Sequence, residues 1–334
     1  MDWFSPGLAL AGVLVGFVVG LTGMGGGALM TPILVFFFGV DPLTAVSSDL
    51  VASLFMKPVG SAVHLRRGTV NLKLVGWLCL GSVPAAFAGV FVLRLLGDGE
   101  DLATVVKKAL GAALLVASAA LVVRAWMVLV ERSSLVGEGP AAETNPEVIV
   151  RKVPTVLLGA FAGLIVGMTS VGAGSIVIVI LLFLYPMLKA SQLVGTDLTQ
   201  AIPMVAAASL AHVLFGDFEL ALTATILVGA IPGVYVGARV SSRAPGGLVR
   251  RALAVVLMAS GLKLLGASNQ AIFLAILGAL ILGPLAWRVV RGRYAKKRKL
   301  VKQAAKAKPP ALVEETAGMA PPDAGEPAAP GLEP

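Results

Sequence analysis

The residues able to do chemistry in this chain are few, and they lie within apolar sequence. Asp49, Ser53 and Lys57 recur every four residues, so on a helix they share one face. Later in the chain Thr196 and Asp197 stand as Ser48 and Asp49 do, with Thr199 and Gln200 just beyond. Two stretches of glycines and hydroxyls precede these carboxylates: Thr22-Gly23-Met24-Gly25-Gly26-Gly27 and Thr169-Ser170-Val171-Gly172-Ala173-Gly174-Ser175. Clustered glycines interrupt a helix, and the helix that restarts after them presents free N–H groups and the positive end of its dipole. Beside hydroxyl donors, that arrangement binds a small anion. Two histidines and one cysteine are too few for a His/Cys metal site or a nucleophile–base set. The chemistry on offer is recognition, and neither an enzymatic step nor a cofactor or metal is expected.

The candidate substrate contacts are therefore Thr22, Gly25, Gly26 and Gly27 at the first break and Thr169, Ser170, Gly172, Gly174 and Ser175 at the second. Lys57 joins them as a fixed positive charge, which the breaks themselves lack. Its alternative role is to neutralise Asp49 or Asp197. Ser48, Asp49, Thr196, Asp197 and Gln200 form a second set, serving either ion coupling or structure. A carboxylate in an apolar span is costly and must cap backbone, pair with Lys57 or carry a proton. Gly12, Gly16, Gly159 and Gly163 read instead as packing positions that let helices approach closely. His64 and His212 fall at span ends, where interfacial hydrogen bonding is the expected role.

The elements that must position these groups are membrane helices. The chain is 57% hydrophobic and 13% charged, with a mean hydropathy of +0.91. A soluble domain carries about twice that charge, so the protein is read as polytopic. The glycine stretches lie in the apolar runs Pro6–Gly39 and Val153–Pro186 and predict helix, break, helix. Broken backbone survives in a bilayer only where protein or a watery cavity satisfies it. Further apolar segments at about 42–64, 71–94, 105–129, 188–213, 218–240, 249–266 and 270–287 are expected to cross as helices. Cys79 lies in one of them as a small packing residue. The N-terminus has no basic region before its apolar run, so no cleaved signal is expected.

The halves are copies. At an offset of 147, Gly12/Gly159, Gly16/Gly163, Thr22/Thr169, Gly25/Gly172 and Gly27/Gly174 coincide. One residue later in offset, the pairing continues as Asp49/Asp197, Ser61/Ser209, His64/His212, Gly81/Gly229 and Pro84/Pro232. The expected division is a first repeat over 1–130, a polar linker over 131–152, a second repeat over 153–267, an extra span over 268–290 and a tail over 291–334.

Charge orients the copies. The loop His64-Leu-Arg66-Arg67 through Lys73 is basic and reads as cytoplasmic, whereas its counterpart His212 through Glu219 has no Lys or Arg and reads as external. Lys107 and Lys108 run against this assignment, although Asp98, Glu100 and Asp101 lie nearby. Parity then requires each broken run to enter and leave on one side, giving an inverted repeat with the N-terminus outside and the C-terminus inside. Residues 288–334 hold ten Lys/Arg against five Asp/Glu within the net +9. That basic run reads as a topogenic anchor rather than a nucleic-acid site. Beyond Lys308 the Pro/Ala/Glu-rich chain is expected to be disordered. The fold class expected is all-α: two inverted repeats, each a glycine-broken hairpin and three spans, plus one C-terminal span. The partners are the lipid bilayer and a small anion, and the sequence leaves the oligomeric state open.

The two hairpins, the starts Ser47-Ser48-Asp49-Leu50 and Gly195-Thr196-Asp197-Leu198, and His64-Leu-Arg-Arg-Gly-Thr-Val with Gly81-Ser-Val-Pro84 resemble the TauE/SafE family of membrane permeases over about residues 6–266. The resemblance implies a bacterial inner-membrane carrier that moves sulfite, sulfonates or related organic anions outward. It places substrate contacts at Thr22–Gly27 and Thr169–Ser175. Outward movement of an anion is favoured by a negative-inside potential, at ~2.3 kcal/mol per charge per 100 mV. Other small anions such as carboxylates fit the same features.

Overall fold

A computed structural model describes residues 5–22, 26–66, 68–95, 99–134, 149–172, 174, 176–186, 188, 190–240, 246–285 and 288. The first glycine-broken hairpin is α1 (Pro6–Thr22) and α2 (Gly27–Phe37), followed by α3 (Pro42–Arg66), α4 (Leu72–Leu95) and α5 (Gly99–Ser134). The second half repeats the series as α6 (Lys152–Thr169), α7 (Ile176–Leu184), α8 (Ala190–Phe215), α9 (Leu220–Val240) and α10 (Gly246–Leu264). An apolar helix, α11 (Asn269–Leu285), follows. Among the described residues there is no strand, and the fold is all-α.

The second glycine run breaks as expected, whereas residues 23–25 of the first, between α1 and α2, lie outside the described residues; in both hairpins the pieces are unequal. At 1.5 Å per residue, the 11 residues of α2 and the 9 of α7 reach only about 16 and 13 Å. Neither can cross ~30 Å of hydrocarbon. Each instead folds back on its longer partner. A methyl group added to Gly7 at the start of α1 would sit 3.4 Å from the Phe38 ring just past α2. Tyr185, just past α7, accepts at its hydroxyl from the Arg151 backbone N–H (2.9 Å) and lies against Thr155 Oγ1 at the start of α6. The ends of both hairpins therefore meet.

The two halves pack by exchange. α1 lies along α9, and its repeat counterpart α6 lies along α4. Glycines set the closeness of both contacts, as small residues do between membrane helices. A Cβ at Gly12 or Gly16 would collide with the Ile226 or Ala230 carbonyl, and one at Gly159 or Gly163 with the Leu78 or Ser82 carbonyl. In both pairs the helices run parallel. The repeat-equivalent helices α3 and α8 run antiparallel, since Ser47 meets His212 and Ser61 meets Thr199. So do α5 and α10, where Gly111 meets Gly261 and Ser118 bonds the Ala254 carbonyl. This set of directions is compatible with the inverted arrangement expected from the sequence.

Polarity is arranged from the inside out. Phe37, Leu95, Phe183 and Leu220 are 71–86% exposed, while Ser48, Asp49, Thr196 and Gln200 are fully buried. α4, α6, most of α5, and the bulk of α8 and α9 are long and apolar enough to cross a membrane. Pro84 and Pro232 sit at equivalent places inside α4 and α9. A membrane helix tolerates proline where its neighbours re-satisfy the freed backbone.

Candidate functional site where the two breaks meet

The glycine runs stop α1 and α6 and restart α2 and α7, and this delivers the site. At the second break Ser170 takes a left-handed conformation (φ 57) as the C-cap of α6, with its N–H returning to the Val166 carbonyl at 2.7 Å. Gly172 (φ +128) and Gly174 (φ +97) follow in backbone regions that a side chain disfavours. Thr169 serves the break itself: its hydroxyl donates to the Ile165 carbonyl at 2.7 Å and accepts from the Val171 N–H at 3.2 Å.

This break touches the first one. A Cβ at Gly27 would fall on the Ser170 carbonyl oxygen and 2.9 Å from Asp49 Oδ2. Ser170 Oγ donates to Asp49 Oδ2 at 2.6 Å, and Thr31 Oγ1 from α2 donates to the same oxygen at 3.1 Å. Asp49 thus joins α2, α3 and α6, while its Oδ1 is buried without a partner. In the second half Gln200 Nε2 faces Asp197 Oδ1 at 3.4 Å, and the Gly174 backbone N–H also bonds this carboxylate. Asp197 Oδ2 is buried without a partner. Asp197 therefore sits against the break of its own half, while Asp49 sits between Gly27 of its own half and Ser170 of the other.

Lys57 is 5% exposed and within electrostatic range of both Asp49 and Asp197. Among the described residues no hydrogen bond or ion pair occupies its Nζ. Ser53, between Asp49 and Lys57 on the same face, is 1% exposed and its hydroxyl is unpartnered. α2 restarts beside it, for a Cβ at Gly26 would lie 3.7 Å from Ser53 Oγ. Gly26 is the N-cap of α2, and among the described residues no side chain caps the helix there. The start of α2 and the Ser53 hydroxyl thus lie together, and Lys57 follows Ser53 by one helical turn on the same face.

The remaining sequence candidates are placed as follows. Ser48 Oγ is buried and unpartnered, and Thr196 Oγ1 accepts from the Asn71 N–H at 3.1 Å, tying α8 to the start of α4. Gln200 also accepts from Ser82 Oγ at 3.2 Å, linking α8 to α4. Gly25, Ser175 and the side chain of Thr22 lie outside the described residues. Gly26 is in the helical region at φ −63, so space rather than positive φ is what it supplies.

Two participants, Thr31 and Arg124, escaped the sequence reading, and a third, His212, was read only as an interfacial histidine. Thr31 looked like one hydroxyl in an apolar helix. Arg124 is 7% exposed and faces Asp197 electrostatically from α5. An arginine within the span at 105–129 was the available signal, because such a charge requires a partner. His212 is not interfacial but fully buried. Its Nε2–H donates to the Gly167 carbonyl at 2.6 Å, and its Nδ1 lies 2.8 Å from Ser47 Oγ, bridging α3, α6 and α8. His64 is half-exposed and bonds Thr69 Oγ1 at 2.9 Å, as a span-end histidine should.

Comparison with known proteins bears on this arrangement as a whole. The family model described as sulfite exporter TauE/SafE matches residues 8–264. The probable membrane transporter protein YjnA of Bacillus subtilis is 36% identical over 262 residues, covering 78% of this chain and 100% of that protein. The probable membrane transporter protein YdhB of the same organism is 24% identical over 252 residues, covering 75% and 96%. No solved structure matches the chain. The matched region takes in both hairpins, both carboxylates and Lys57, and on that extent the chain belongs to the sulfite exporter TauE/SafE family.

Proposed function

We propose that this multi-pass membrane transporter carries a small anion of the sulfite or sulfonate class outward across a bacterial inner membrane, by alternating access around the site where its two helix breaks meet. The observation that carries the reading is the start of α2 beside the buried Ser53 hydroxyl, which has no partner among the described residues, with the buried Lys57 one helical turn further along the same face. Burying such a donor without an acceptor is unfavourable, and an anionic oxygen would satisfy it. Gly26 and Gly27 leave the backbone bare on that side. The second break supplies the opposing wall through Ser170, which Asp49 holds in place.

Alternating access follows from the packing. The long arm of each hairpin packs on a helix of the other half, α1 on α9 and α6 on α4. Rocking one half against the other presents the same site to either side. The family name points to sulfite, and the donors present suit any compact oxyanion.

Counterflow tests this. Proteoliposomes loaded with unlabelled sulfite, methanesulfonate or acetate are diluted into the labelled anion. Transient accumulation of the sulfur oxyanions is expected. Accumulation of acetate alone would move the substrate class to carboxylates, and accumulation of none would overturn the reading.

A further inference from the structure

The charges around the site carry a statement about what travels with the anion. Two carboxylates, Asp49 and Asp197, face two cations, Lys57 and Arg124. Without substrate this buried set sums to zero. An anion entering at Lys57 leaves it one negative charge in excess, in a setting where an uncompensated charge is strongly disfavoured.

The two carboxylates are not equally able to absorb that excess. Asp197 faces both Lys57 and Arg124 and is bonded by Gln200 and the Gly174 backbone. Asp49 faces Lys57 alone among charged groups of the described residues. α2 and α6 present it only with the hydroxyls of Thr31 and Ser170, both on Oδ2. Oδ1 is buried and bare, and the equally bare Ser53 hydroxyl stands one helical turn further along the same face. The two are not hydrogen-bonded to each other, so Oδ1 is open to a proton and the Ser53 hydroxyl is open to the anion. Once Asp49 is neutral, it no longer competes with the substrate for the Lys57 charge.

We propose, building on the anion-transport reading above, that Asp49 takes up a proton with each monovalent anion bound, so that the carrier moves anion and proton together and the loaded site is electroneutral. The proton comes from water on the side where the anion enters, adds to Asp49 Oδ1, and returns to water on the side where the anion leaves. No bond to the substrate is made or broken. The driving force is then the product of the anion and proton gradients, and the membrane potential drops out.

Methanesulfonate is the probe of choice, because a strong-acid anion does not cross lipid as its free acid. Wild-type proteoliposomes containing a trapped pH dye receive an inward methanesulfonate gradient, with the potential clamped by potassium and valinomycin. Lumenal acidification that needs the anion, and a flux changing less than about twofold between clamps of 0 and −100 mV, are expected; a uniporter's flux would follow the clamp, since each charge feels ~2.3 kcal/mol per 100 mV. Asp49→Asn should lose the acidification and make residual flux follow the potential, while Asp49→Glu should retain coupling. Counterflow without acidification, or flux requiring sodium rather than protons, overturns the coupling and leaves the transport reading standing. Absence of counterflow for methanesulfonate, sulfite and acetate alike overturns both.

Discussion

Ser170 Oγ lies 2.6 Å from Asp49 Oδ2 across 121 residues of chain, so the break of one repeat holds the carboxylate of the other. A hydrogen bond to a charged group is worth about 1.5–3 kcal/mol. Ser170→Ala should lower the unfolding temperature in detergent and weaken transport. In a double-mutant cycle with Asp49→Asn the two losses should fall short of additive by roughly 0.5–3 kcal/mol, the range for residues in contact. Strict additivity would mean that the contact contributes nothing.

The two glycines at the start of α2 should respond differently to a single methyl group. A Cβ at Gly27 meets the Ser170 carbonyl, which is backbone and cannot step aside, whereas one at Gly26 meets only the Met56 terminal methyl at 2.8 Å. Gly27→Ala should therefore cost about 1–3 kcal/mol of stability and most of the counterflow rate. Gly26→Ala should keep near wild-type stability, although its methyl enters the bare side of the proposed anion site and should weaken counterflow. Equal loss of stability in both, measured at matched membrane levels, would contradict this geometry.

Lys57 offers a test of where its charge is used. Lys57→Gln should weaken anion binding by about tenfold or more, equivalent to ~1.4 kcal/mol, in titrations that follow thermal protection by substrate. Lys57→Gln combined with Asp49→Asn removes both members of a buried pair, and its stability should recover relative to the single lysine variant. Its anion affinity should not recover. Restored affinity would show that Lys57 serves only to neutralise Asp49.

The inverted orientation is checked from outside the cell. In a Cys79→Ala background, Asp217→Cys should react with a membrane-impermeant maleimide in intact cells, and Pro140→Cys only after lysis. The reverse pattern would exclude the assignment drawn from the basic loop Arg66–Lys73.

Several features of the site were legible before any coordinates, for definite reasons. The internal duplication exposes itself because Asp49 and Asp197, or Pro84 and Pro232, recur at a constant offset, and a two-fold arrangement requires matching positions. The glycine breaks are legible because backbone geometry is local: Gly172 and Gly174 adopt positive φ where the run predicted interruption. The shared face of Asp49, Ser53 and Lys57 follows from helix periodicity alone. The same reasoning assigned Gly12 and Gly16 to packing, and they lie against the Ile226 and Ala230 carbonyls.

What the chain by itself determined is thus its class, its repeat, its two breaks and the side chains that line one helix face. These depend on composition, periodicity and backbone freedom within a few residues. Only the tertiary structure decided that Ser170 bonds Asp49 rather than a ligand, and that Arg124 faces Asp197. It alone placed His212 between Ser47 and Gly167 instead of at an interface, and made Gly27 the position without room for a methyl group. All of these except the His212–Gly167 bond are contacts between helices from different halves. Each partner is chosen by how α3, α6 and α8 cross, and no spacing within a single helix encodes that crossing.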